Sequence, residues 1–171
     1  MSIRYFDLER WQRQMSANRM RIEALILACP SGKAASTGWN AAQCLLHLDL
    51  TANAFLSQWN RALAQTNRSP GSNYAFWWRW FLHNIENPAR LKSKTSEKFE
   101  SKASPTLEEA AATYFTTRNK IFPLASAMQA ASLGGTPVIS PFASWMSYPM
   151  DFSFDLVAAH ELRHIRQAEN I

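Results

Sequence analysis

The chain has 171 residues, 47% hydrophobic and 18% charged, with a net charge of +5. That is enough length to bury roughly 70% of the unfolded surface around one core, so a single domain spanning residues 1–171 is expected and a disordered chain is excluded. No apolar run approaches the ~18 residues of a membrane span, and "MSIRYFDLERWQRQ" lacks the apolar stretch of a signal peptide, so no membrane partner and a cytoplasmic location are expected.

Apolar positions Phe6, Met15, Met20, Ile22, Leu25 and Ile26 predict a first helix from about Tyr5 to Ala28, stopping before Pro30. "CPSGKAASTG" then reads as a loop. Asn40 and Gln43 stand at capping-box spacing and predict a second helix through "LLHLDLTANAFLSQWNRALAQ", fading at "TNRSPGSN". The aromatic stretch "NYAFWWRWFLHNIEN" predicts a short helix, either a flap over the open end of the bundle or the wall of a pocket or a dimer surface.

The basic excess lies in "ARLKSKTSEKFESK" (89–102), where Arg90, Lys92, Lys94, Lys98 and Lys102 alternate with Glu97 and Glu100. No basic helix or stacking platform accompanies it, so it reads as a solvated linker and no nucleic-acid partner is expected. Thr106 and Glu109 form a second capping-box pair, which opens a third helix running to about Ala131 with a kink or break expected at Pro123. "LGGTP" ends it, and a fourth helix follows Pro149. No alternating β pattern is strong enough to indicate a sheet. The expected fold is all-α: an up-down four-helix bundle with a long crossover between helices 2 and 3.

The fourth helix carries HELRH, a match to the H-E-x-x-H zinc-peptidase pattern. His160 and His164 share one helix face with Val157 and Ala168 and therefore point inward. Two buried histidines at this spacing are costly unless a cation neutralises and orients them, which points to a metal site.

A peptidase needs a third ligand downstream, yet Ile171 is only seven residues past His164, and Gln167 stands where a metzincin glycine belongs. The third ligand is therefore expected upstream, and the candidates are His47 and His83. His47 lies mid-helix on the side of Cys44, Thr51 and Phe55 and looks inward; His83 reads more simply as a packing or surface histidine. Glu161 is rotated about 100° from His160 and reads as an ion-pair partner of Arg163, Arg166 or another helix rather than a general base. Cys44, one turn before His47, reads as a buried free cysteine. Cys29 and Cys44 form no C-x-x-C pair.

"GWNAAQCLLHLDLTANAFL" resembles the second helix of the DinB/YfiT-like metal-binding proteins, with its tryptophan, polar cap and histidine-leucine pair. "HELRHIRQAENI" resembles that family's closing helix, where H-x-x-x-H is followed by an apolar residue and a glutamine, here Ile165 and Gln167. The helix order, crossover and length agree, so the resemblance covers essentially the whole chain. It implies His47, His160 and His164 as ligands of a divalent transition metal, with no separate organic cofactor and with no catalytic residue assigned.

Imidazoles suit zinc, nickel, iron or copper, and manganese is a further candidate; the sequence does not choose. Three imidazoles leave coordination positions open for an acidified water or for a thiol held as thiolate. The resemblance further implies a homodimer and a thiol-dependent S-transferase that uses a low-molecular-weight thiol on small electrophiles. The alternatives are a small-molecule metal hydrolase and a non-catalytic metal-binding or stress-response protein.

Overall fold

A computed structural model describes residues 6–28, 38–65, 69–70, 76–87, 89, 96–100 and 103–170. Residues 29–37 of the loop "CPSGKAASTG", most of "TNRSPGSN", Tyr5, Arg90, Lys92, Lys94 and Lys102 lie outside those residues, as do the side chains of Phe76 and Trp77. The described chain is mostly helical: α1 (Leu8–Ala28), α2 (Ala41–Leu63), α3 (Phe76–Ile85), α4 (Leu107–Asn119), α5 (Ile121–Ala130) and α6 (Met150–Glu169). None of these helices is long and apolar enough to cross a membrane.

Both sequence caps form. Asn40 Oδ1 accepts from the Gln43 N–H at 2.8 Å, while Gln43 Oε1 accepts from the Asn40 N–H at 2.9 Å. Thr106 and Glu109 make the same reciprocal pair at the start of α4. Each box satisfies two of the donors a helix start leaves open, which is why these boundaries were legible.

The expected third helix is two. The break falls at Lys120, three residues before Pro123. A proline at 123 would clash with the carbonyl of residue 119 in a continuous helix, so the chain ends α4 at Asn119 and restarts with Pro123 in the first turn of α5. The left-handed residue after α5 is Ser132, φ 56°, not one of the nearby glycines. Leu133 N–H closes the end by donating to Met128 O at 3.0 Å.

The expectation of no sheet is corrected in one place. β1 (Pro137–Ile139) and β2 (Ser147–Pro149) pair antiparallel, Val138 opposite Tyr148, and these two side chains turn inward. Three-residue strands offer one inward position each, too few to leave a periodic signal.

α2 packs against α4 and α6, and α1 against α6. The buried residues form one core cluster, centred on aromatics from three helices. Trp59 stacks on Phe154 with centroids 4.2 Å apart, and the Trp11 indole N–H donates to Phe154 O at 2.9 Å. Met20, read as a core position of the first helix, is exposed instead. The aromatic segment packs on the last helix: Trp78 of α3 lies 4.7 Å from Phe152 of α6. Arg163 and Arg166 fasten that contact by donating to the carbonyls of Ile85, Asn87 and Glu86 at the end of α3.

Candidate metal centre

His47 projects from the middle of α2, and His160 and His164 from successive turns of α6, the helix packed against it. One nitrogen from each ring converges so that all three lie within 4.8 Å of one another. His160 Nε2 is 3.2 Å from His47 Nε2 and 3.0 Å from His164 Nε2. His47 and His164 are buried, and His160 is of intermediate exposure. His83, the other upstream candidate, is exposed on α3 and does not join the cluster.

The protonation of the group follows from its surroundings. Burial lowers the pKa of His47, opposed by its hydrogen bond to the Phe99 carbonyl and by the charge of Glu100. Burial, then the neighbouring His47 and Arg163, holds His160 well below the usual range. His164 is also held well below it, by burial first and then by His160, His47 and Arg163. All three rings are therefore neutral at pH 7.

A neutral ring has one N–H and one lone pair. His47 Nδ1 is 2.9 Å from the carbonyl oxygen of Phe99, which can only accept, so the proton is on Nδ1 and the Nε2 lone pair faces the cluster. His160 Nε2, which meets both other rings, has at most one proton to give. His164 Nδ1 has no hydrogen-bond partner within standard geometry, although the Gln167 side chain lies close enough to favour a charged ring. Converging lone pairs with too few protons between them are relieved by a cation. The observed spacings suit one, since nitrogens about 2.0–2.1 Å from a tetrahedral zinc are about 3.3 Å apart. These three residues can hold a metal ion.

Phe99 is a correction to the sequence reading. The run 89–102 reads as a solvated linker, but Glu97–Phe99 forms a 3-10 turn against α2, with Phe99 buried. A single apolar residue among the charges of "SEKFESK" was the available signal. Its carbonyl fixes the His47 tautomer, the role outer hydrogen-bond partners serve around metal-binding histidines.

Two aromatic neighbours were also not assigned to the site. Trp39 lies 5.9 Å from His164, with the planes 28° apart, and 4.8 Å from His47. Phe142, from the β1–β2 connection, sets its edge against His160 at 5.8 Å.

Glu161 faces away from this group. Its carboxylate is fully buried and accepts from Arg118 Nε at 2.7 Å, Tyr114 Oη at 2.9 Å and Asn18 Nδ2 at 2.8 Å. The ion-pair reading holds, but the partner is Arg118 on α4; Arg163 and Arg166 serve α3. A general-base role, as the peptidase pattern requires, is incompatible with a carboxylate occupied on both oxygens inside the core. Cys44 is buried, and burial pushes its thiol up to about 12, so it remains protonated.

No protein-family model matches this chain, and no match was found among curated proteins or solved structures.

Proposed function

We propose that this protein is a metal-dependent enzyme of the DinB/YfiT-like type, a thiol-dependent S-transferase acting on small electrophiles. In this reading α1, α2, the α4–α5 pair and α6 are the four members of the bundle, with α3 and the turn at 97–99 in the long crossover.

The observation that carries it is the composition of the cluster: three neutral imidazoles, and no carboxylate or thiol among the described residues joins them. A bound divalent ion such as zinc, nickel, iron or manganese would supply Lewis acidity, lowering the pKa of a coordinated water or thiol. The chain would hold the ion through His47, His160 and His164, fix His47 through Phe99, and keep Cys44 out of the reaction as an inert thiol. The nucleophile then comes from outside. A thiol is favoured over water because a thiol gives up its proton far more readily.

Elemental analysis of the wild type beside His47→Ala tests the site: about one metal ion per chain in the first and little in the second is expected. Turnover of a chloronitrobenzene that requires an added thiol would support the transferase. Turnover of hydrolysable substrates without thiol would replace it with the hydrolase reading, and metal binding with neither activity would leave a metal-binding protein.

A further inference from the structure

Two aromatic side chains border the histidine cluster, and one of them keeps much of its surface in solvent. Phe142 packs at 5.2 Å from Phe99 and 6.0 Å from Phe55, and meets His160 in an edge-to-face contact at 5.8 Å. It nevertheless keeps 41% of its surface exposed. Trp39, half-buried, packs on His47 and His164.

The segment that carries Phe142 is held in place. Ser140 Oγ accepts from the N–H groups of Phe142 and Ala143 at 3.2 and 3.3 Å, and Ser140 N–H donates to Met146 O at 2.9 Å. Lys98, beside Phe99 in the turn that orients His47, donates to Pro141 O. The same turn therefore anchors both a cluster histidine and the segment bearing the aromatic. Phe142 thus combines exposed ring surface with direct contact to a cluster histidine, which is the placement of an apolar lining residue in a ligand site.

We infer that Phe142 and Trp39 form an aromatic subsite beside the histidine cluster, which selects ligands carrying a flat apolar group next to the atom that meets the metal. This rests on the metal-centre reading and deepens it: the acceptor or thiol is aryl-bearing rather than small and polar. Phe142 is the specificity-determining residue, and its ring offers an edge or a face to the incoming group, as aromatic pairs prefer.

The test uses cobalt(II)-loaded protein and two thiols of similar acidity, benzyl mercaptan and 2-mercaptoethanol, with binding read from the sulfur-to-cobalt absorption band. The wild type is expected to bind benzyl mercaptan about five- to tenfold more tightly, the size of one aromatic pair with its added burial. In Phe142→Ala that preference should shrink to about twofold or less while 2-mercaptoethanol binding and cobalt content stay as in wild type. Phe142→Leu, which keeps apolar bulk without a ring, should retain only part of it. Equal binding of the two thiols to the wild type, or an undiminished preference in Phe142→Ala, overturns the subsite and leaves the metal centre standing. Failure to take up cobalt overturns both.

Discussion

The two faces of α6 bury polar groups in opposite ways. On one face Glu161 is surrounded by donors: Arg118, Tyr114 and Asn18 supply three hydrogen bonds to its two oxygens, and Arg118 in turn donates to Met15 O. On the other, His160 and His164 meet His47 with more lone pairs than protons, and His164 Nδ1 lacks a partner in standard geometry. A polar group whose bonds are complete has been built into the fold. A group of like acceptors turned toward one another awaits something the polypeptide does not supply. The H-E-x-x-H pattern spans both faces, which is why reading it as one catalytic unit misleads.

The largest effect should come from the complete face. Arg118→Ala leaves a fully buried carboxylate without its cation and is expected to cost about 3–5 kcal/mol in denaturant-induced unfolding. A loss below about 1 kcal/mol, the scale of an exposed pair, would show that the Glu161 network is not the structural member of the comparison.

On the incomplete face, His47→Ala should weaken metal binding by more than the ~10–100-fold that removal of an outer hydrogen-bond partner costs, and as severely as His160→Ala. Metal titration with a competing chelator reads both. Retained affinity in either would dissolve the triad.

Acidification should act on the histidine face. The three histidines have folded-state pKa values below their ordinary 6.5. Above that pH they are neutral in both states and add no dependence. As pH falls below about 6.5 the unfolded chain takes up protons that the folded one refuses, so the metal-free protein loses up to about 1.4 kcal/mol per pH unit for each histidine until the folded values are reached. A bound metal, which needs neutral rings, leaves over the same range. Flat unfolding midpoints between pH 7 and 5 would contradict the buried, neutral assignment.

The smallest effect on metal should come from Glu161→Gln. It removes the charge opposite Arg118 and lowers the unfolding midpoint, yet metal per folded chain should match wild type. Loss of metal from well-folded protein would tie the two faces together.

Much of this was readable along the chain because it depends on neighbours in sequence. The capping boxes at Asn40 and Thr106, the inward pairing of His160 with His164, and the start of α6 after Pro149 all rest on spacings of three or four residues, which helix geometry converts directly into contact. The choice of His47 over His83 came from the family resemblance and from its inward helix face, and the structure brings His47, not His83, to the pair.

Other features depend on distant segments meeting. Arg118 finds Glu161 across 43 positions, and Phe99 reaches His47 across 52. Phe142 arrives beside His160 on a hairpin too short to leave a pattern. The sequence by itself determined a helical chain with two inward histidines one turn apart. Only the tertiary structure decided that Glu161 turns to the core, that a carbonyl in a charged run sets the His47 tautomer, and that aromatic rings border the cluster. Local spacing specifies which way a side chain leaves its own helix, whereas its partner is set by how the helices pack.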